Sequence, residues 1–373
     1  MKLKISQKIL LEHLNYVIKG ISSKNLIPIL NCIKFDLKKE GLYLMSTDNE
    51  IAIKTFIDAK DIESIDEKGD IVVSGRYIYD IVRKLNNEII NLEEIMSSQL
   101  LVTTDNSSFK LNCNNSSEFP NLDLEFSKNP LIINQLAFKT TINQTIFATS
   151  TQESRPVLTG INFKIRKNKL ECTATDSYRL AKKEIELDKA LDQDMDIIVP
   201  AKNLTEVIRL LNDDENTLEL HIFTNKVIFN FGSLVIMSRL INGTYPDTDK
   251  LIPTDFLTKI KVNLNSFFSA IDRASLLTNE EEKNIIKLEG KGTQLIISSN
   301  IPEIGNVEEK VEIGHKIKEE ISIAFSSKYM MDALKIFNSE EIEIKYNGEI
   351  KPIIITDGEN EKLIQLILPI RTY

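Results

Sequence analysis

The chain has 373 residues, 42% hydrophobic and 27% charged, with a formal charge of −9. It is too long for a single hydrophobic core and too apolar for a disordered chain, so two or three domains are expected. Taken alone, the acidic balance speaks against a nucleic-acid binder.

The opening segment, "MKLKISQKILLEHL", turns polar too soon for a signal peptide, and no apolar run reaches membrane-spanning length. A cytoplasmic protein without a membrane partner is expected. An amphipathic helix follows over residues 7–19, with Leu10, Leu11, Leu14, Val17 and Ile18 on one stripe. Alternating strands come next, "IKFDL", "GLYLMST" and "EIAIKTFI", the first two joined by the turn "KKEG". The strand "DIVVS" leads into a second helix, "RYIYDIVRKLNN", and the strands "LLVTT" and "SFKLNC" close the unit. Two helices against antiparallel strands make an α+β layer.

The second helix then returns twice. At steps of 126 positions the chain reads "KNLTEVIRLLND" and "KYMMDALKIFNS". Each copy has a base, an acid four residues on, a second base three later, and then an apolar residue and Asn. The first halves of copies one and two align at an offset of 128, so that Pro28 meets Pro156, Phe35 meets Phe163, and Thr47-Asp48 meets Thr175-Asp176. "FPNLD" likewise pairs with "YPDTD", and "VNLNSFFSAIDRASLL" supplies the opening helix of a third copy. Turn-rich stretches, "SKNPLIIN" and "DKLIPTD", place the domain boundaries at 1–130, 131–252 and 253–373.

On each repeated helix one stripe is apolar: Ile78, Ile81, Val82 and Leu85; Leu204, Val207, Ile208 and Leu211; Met330, Ala333, Leu334 and Phe337. These are core positions. The opposite faces carry Arg76 and Arg83, Lys202 and Arg209, and Lys328 and Lys335. A solvated face tied to Asp80, Glu206 and Asp332 explains one such helix, each pair contributing about 0.2–0.5 kcal/mol. Threefold recurrence of the same sign at the same positions points instead to a repeating anionic ligand, a phosphate backbone. An acidic protein can bind one by segregating its charge, with the excess in stretches such as "NEEEK" and "GENEK".

The segments "ESRPVLTGINF", "ATDSYRLA", "SRLINGTYPD" and the terminal "LPIRTY", spread over the chain, resemble the bacterial sliding clamp, the beta subunit of DNA polymerase III. That resemblance implies a head-to-tail homodimer of three-domain chains, a six-domain ring with helices lining a hole through which duplex DNA threads. Lys24 and Gln152 match further DNA contacts of the family. The resemblance also implies a pocket where the polymerase III alpha subunit, the clamp loader and other clamp-binding-motif proteins dock an apolar peptide. Its walls would be Leu158, Thr175, Ser177, Tyr178, Arg179, Leu180, Pro246, Lys250 and Leu251 from copy two. Copy three would add Ser326, Tyr329, Ile350, Pro352, Leu366, Ile367, Leu368, Pro369, Ile370 and Arg371. Many members carry Gly-His at Ser177-Tyr178, arginine at Lys250 and methionines at Leu368 and Ile370; lysine lacks the arginine fork, and losing methionine removes adaptable side chains. Position 282, often aromatic in relatives, is Glu282. The dimer seam would set Phe109 and Leu111, on an edge strand, against Leu276 and Leu277.

Enzyme signatures are wanting. His13, His221 and His315 have no metal-ligand spacing, "GKGT" lacks the Walker pattern, and Cys32, Cys113 and Cys172 form no zinc or redox motif. No catalytic residue, metal or cofactor is expected. A protein-only scaffold and an enzyme of unrecognised type stand as the alternatives.

Overall fold

The structure is a computed structural model that describes residues 1–22, 26–86, 88–96, 98–188, 194–279, 284–358 and 362–371. Lys24 and Glu282 lie outside the described residues. The described helices are α1 (Gln7–Val17), α2 (Gly75–Lys84), α3 (Gln135–Ile146), α4 (Ala201–Leu210), α5 (Leu264–Ser275) and α6 (Ser327–Leu334), two to each repeat.

The chain forms two compact units, residues 1–136 with 202–240, and residues 137–201 with 241–373. These do not coincide with the sequence repeats, because the middle repeat is divided between them. In unit one, thirteen strands form one antiparallel sheet. The junction within it is the pairing of Leu234–Arg239, from repeat two, with Ile51–Asp58, from repeat one, in which Ile236 lies opposite Ile53. In unit two the corresponding junction pairs Arg179–Glu186 with Leu363–Ile367, Leu180 opposite Leu366, inside an eight-stranded sheet. A separate four-stranded sheet runs in the order Gly305–Glu312, Gln294–Ile301, Ile285–Lys291, Ile321–Ser326.

Burial follows the expected stripes. Leu10, Leu14 and Val17 of α1 and Ile78 and Val82 of α2 are fully enclosed. In unit two, Phe267 and Ile271 of α5 and Met330 and Leu334 of α6 share one core with Ile260 and Ile344 of the larger sheet and Leu288 and Ile297 of the smaller. The helices thus fill the space beside both sheets, the α+β layering that apolar faces require.

In the first repeat, three strands fall outside the sequence reading: Lys2–Ser6, Ser64–Glu67 and Ile89–Ile95. The last, "IINLEEI", breaks its apolar alternation with two acids, and both are paired: Lys2 Nζ meets Glu93 Oε2 and the Met1 amine meets Glu94 Oε2, each at 3.2 Å. Such cross-strand compensation cannot be seen within a single segment.

The predicted hairpin turn closes at Gly41, where Lys38 N–H donates to the Gly41 carbonyl at 2.9 Å. Its φ of 150° lies outside the range of most residues, and a Cβ there would run into the Ile57 carbonyl oxygen and the Phe56 ring. Gly41→Ala is therefore expected to cost about 1–3 kcal/mol. The midpoint of the first urea-unfolding transition, read with an unchanged slope, measures it.

Candidate nucleic-acid interface and peptide cleft

Each repeated helix starts directly at the end of a strand, Gly69–Ser74, Met195–Pro200 and Ile321–Ser326 respectively. With its apolar stripe buried, the helix turns the opposite face to solvent, and Arg76, Arg83, Lys202, Arg209, Lys328 and Lys335 are all exposed. Lys335 is the residue that caps the end of α6. Gln152 is exposed as well, its N–H donating to Ser150 Oγ at 3.0 Å.

The acid between the bases behaves differently in the three copies. Arg83 pairs with Asp80 at 2.8 Å and Arg209 with Glu206 at 2.7 Å, both at i,i+3 as the spacing suggests. In the third copy Asp332 serves neither Lys328 nor Lys335; it accepts from Arg179 Nη1 at 2.7 Å. The helix bases of that copy carry no carboxylate partner among the described residues. Lys202 reaches Asp48 at 3.2 Å. Exposed pairs of this kind contribute about 0–1 kcal/mol each and exchange readily for another anion.

The aligned Thr-Asp pairs of repeats one and two form the same turn. Thr47 Oγ1 donates to the Ile51 carbonyl at 2.8 Å, and Thr175 Oγ1 to the Arg179 carbonyl at 2.6 Å. Asp48 Oδ1 accepts from Glu50 and Ile51 N–H, as Asp176 Oδ1 does from Tyr178 and Arg179. Asn49 and Ser177, one residue after each Asp, are left-handed at φ 76° and 78°. The second turn is anchored further by Thr175 N–H, which donates to Tyr245 Oη at 3.0 Å. Burial pushes the Tyr245 phenol up, so it stays neutral.

Beside this second turn unit two opens into a cleft of about 740 Å³. Eight residues expected there line it: Ser177, Tyr178, Ser326, Tyr329, Leu368, Pro369, Ile370 and Arg371. Lys328 and Asn284 line it too. Lys328 was placed with the phosphate-facing series and Asn284 was missed. What could have flagged Lys328 is its position next to Tyr329, one residue round a helix that has to show two faces. The tail is held by Leu368 N–H to the Tyr178 carbonyl at 2.9 Å and Ile370 N–H to the Ala324 carbonyl at 2.7 Å. The Tyr178 and Tyr329 rings stack at 6.2 Å between centroids.

Other expected wall residues lie elsewhere. Leu180 and Leu366 are interior, packed on Ile354; Leu158 is interior with Ile198 and Tyr245; Thr175 and Ile367 are buried. Pro246 and Pro352 are half-buried, while Lys250, Leu251 and Ile350 are exposed. The Asp249–Leu251 turn is pinned by Asp249, which takes Lys182 at 2.8 Å and Lys164 at 3.1 Å. The Lys182 hydrogen bond holds the Asp249 carboxyl below the usual range. Burial opposes the charge of Lys182, yet its bonds to Asp249 and Glu171 raise its pKa overall.

Arg179 sits behind the cleft. Its Nε meets Asp176 at 3.0 Å, and its guanidinium lies 4.6 Å from the Tyr329 ring centroid and 5.3 Å from that of Phe147. One side chain thus ties the turn, α6 and an aromatic wall together through geometry lysine lacks.

Phe109 and Leu111 lie on the part of their strand that pairs on one side only. Ser108–Asn114 is not a free edge throughout, since Cys113 and Asn114 pair with Val73 and Val72; residues 108–112 bond on one side only, to Gln99–Thr103. Phe109 is exposed and Leu111 half-buried. Leu276 is 79% exposed at the end of α5, Leu277 is half-buried, and Gly305–Glu312 is an edge strand.

Three family models match in succession: the DNA polymerase III beta subunit N-terminal domain over residues 1–123, its central domain over 132–247 and its C-terminal domain over 249–371. The beta sliding clamp of Bacillus subtilis is 39% identical, and that of Staphylococcus aureus (strain Mu50) 38%, each over all of both chains. Among solved structures, the Bacillus subtilis DNA polymerase sliding clamp superposes with a TM-score of 0.97 at 38% identity. The beta subunit from Streptococcus pyogenes gives 0.95 at 32%, again with both chains fully covered. The chain belongs to the DNA polymerase III beta subunit family. That makes it a processivity subunit and not a catalyst. No described helix is long and apolar enough to cross a membrane.

The Arg179 node gives a graded expectation. Asp332→Ala leaves a nearly buried guanidinium short of a partner and is expected to cost about 1–3 kcal/mol. Asp80→Ala and Glu206→Ala, which remove exposed helix pairs, are expected to cost no more than about 0.5 kcal/mol. Urea midpoints of the three variants check the order.

Proposed function

We propose that two copies of this chain close head to tail into a ring around duplex DNA and tether replication proteins to it. In this reading residues 1–130, 131–252 and 253–373 act as the three domains of each half, and the protein works in the cytoplasm. The observation that carries it is the recurrence of two exposed bases at matching positions of α2, α4 and α6, above an apolar stripe that is buried each time.

The physics suits sliding. A closed ring cannot leave circular DNA without opening, so retention does not depend on tight contact. Arg76, Arg83, Lys202, Arg209, Lys328 and Lys335, with Lys24 and Gln152, would meet phosphates without reading bases, in part through water. Their weak existing partners leave them able to exchange one anion for the next. The chain's net charge of −9 limits the overall grip.

The cleft would take short apolar segments of the polymerase III alpha subunit, the clamp loader and other clamp-binding proteins, one partner at a time. Its apolar floor with a few placed polar groups is the usual form of a peptide site. The seam would pair the one-sided stretch at residues 108–112 of one copy with the Gly305–Glu312 edge of the other. Phe109 and Leu111 would then pack against Leu276 and Leu277, so that each ring end supplies the missing backbone partner of the next.

A scaffold that binds protein only is favoured by the Arg83–Asp80 and Arg209–Glu206 pairs. Asp332 speaks against it, because its carboxylate is committed to Arg179 and leaves the third pair of bases unmatched.

Loaded onto bead-bound nicked circular plasmid, the protein is expected to stay through washing and to be lost on linearisation; equal retention on both, or none on either, would count against the ring. Arg83→Glu, Arg209→Glu and Lys335→Glu together are expected to lower DNA affinity by about tenfold or more at low salt and to flatten its salt dependence by about 0.9 per lost contact. Light scattering reads the seam: the wild type is expected at twice the 42.5 kDa chain mass, and Leu276→Lys at the chain mass itself.

A further inference from the structure

Two Asn-Gly dipeptides occur in the chain, Asn242-Gly243 and Asn347-Gly348. Glycine after asparagine removes the Cβ that keeps the next backbone nitrogen away from the asparagine side-chain carbonyl. Whether that nitrogen attacks depends on how firmly the local backbone is held. Asn347 and Gly348 are half-buried, directly after the paired strand residue Tyr346, and the Gly348 carbonyl accepts from Lys351 N–H at 3.2 Å. Asn242, Gly243 and Thr244 are exposed, and among the described residues no hydrogen bond fixes the Asn242 amide or the Gly243 N–H. Both ends of this short span are anchored. Ile241 N–H donates to the Ile198 carbonyl at 2.9 Å, and its side chain packs on the cluster of Leu158, Ile198 and Tyr245. At the other end Tyr245 is buried in that cluster and takes Thr175 N–H on its hydroxyl. Gly243 has a φ of 136°, and a Cβ there would come within 2.7 Å of Val157 Cγ1, so the loop itself demands the glycine.

We propose that Asn242 is a self-modification site, where spontaneous deamidation produces isoaspartate and loosens unit two at its Tyr245 anchor. The Gly243 nitrogen gives up its proton to solvent base and attacks Asn242 Cγ. A C–N bond forms to close a succinimide, the side-chain amide C–N bond breaks, and ammonia leaves with a proton from water. Water then opens the ring at one of its two carbonyls. Attack at the side-chain carbonyl gives aspartate; attack at the backbone carbonyl gives isoaspartate, in which the chain runs through Cβ and Cγ and is one bond longer. Water is the only co-reactant, and the step quickens as hydroxide rises. Either product adds a negative charge, but isoaspartate alone changes the backbone. With Ile241 and Tyr245 both anchored, the added bond displaces one of their contacts. The Tyr245 hydroxyl also holds the Thr175 turn, so a displacement there reaches beyond the loop.

Full-length protein aged in mildly alkaline buffer is digested and mapped by mass spectrometry, which reads each amide turned to a carboxylate. Labelled methyl transfer from S-adenosylmethionine by an isoaspartyl methyltransferase counts the isoaspartate. Conversion at Asn242 is expected to run at least about threefold faster than at Asn347. Asn242→Gln, whose longer side chain closes a ring less readily, is expected to remove most of the labelling and to keep its melting point on ageing. The aged wild type is expected to show its first melting transition about 2–4 °C lower. Asn242→Asp, which carries the charge on an ordinary backbone, is expected to melt with the fresh wild type. An intact Asn242 after ageing, or faster conversion at Asn347, would overturn the site. Labelling that survives Asn242→Gln would do the same by placing the isoaspartate elsewhere. Unchanged melting of the converted protein, or an equal fall in Asn242→Asp, would overturn the loosening through a longer backbone while leaving the modification.

Discussion

Backbone hydrogen bonding across repeat boundaries is the constraint on which the rest of this molecule rests. A repeat that ended in open strand edges would present unpaired N–H and C=O groups along its flank. Here the middle repeat gives Leu234–Arg239 to the first and Arg179–Glu186 to the third, and each meets a strand that would otherwise stand at an edge. Each junction therefore makes one sheet out of strands from two repeats. Residues 108–112 of the first repeat and Gly305–Glu312 of the last are among the stretches that stay paired on one side only.

The same repetition governs the ion pairs. The Thr-Asp turn of repeat one reaches the second helix of repeat two through Asp48 and Lys202, and that of repeat two reaches the second helix of repeat three through Arg179 and Asp332. The two links use different positions: Asp48 corresponds to Asp176 and Lys202 to Lys328, whereas Arg179 and Asp332 correspond to Ile51 and Glu206. At the first junction Lys202 is largely in water, while the Asp48 side chain that it meets is 6% exposed. At the second, Arg179 is 11% exposed and its bonds hold the wall of the cleft.

Much of this was legible in the sequence because the repeats gave it an internal control. The apolar stripes of α2, α4 and α6 were readable from spacing, and the buried positions followed. The strands Cys32–Leu37 and Gly41–Thr47 announced themselves by alternation and a Gly turn. Ile89–Ile95 did not, since its acids are compensated by a strand more than eighty residues away. Division of the middle repeat between two units was equally hidden, because nothing in Leu234–Arg239 names its partner. The aromatic and tail residues named by resemblance line the cleft. Leu158, Leu180 and Leu366 are interior, a distinction that depends on which side of a sheet a residue faces. Asp332 was read as a partner of its own helix, and only the fold could bring Arg179 within reach.

Helix α6 has eight residues, and few of them are uncommitted. Met330, Ala333 and Leu334 are core, Ser327 is buried, Lys328 and Tyr329 face the cleft, and Asp332 grips Arg179. A segment so fully subscribed has little room for neutral drift. A small molecule seated against Tyr329 would meet a surface that cannot easily be altered to escape it, since most exchanges that spoil the fit would also disturb the packing or the ion pair behind it.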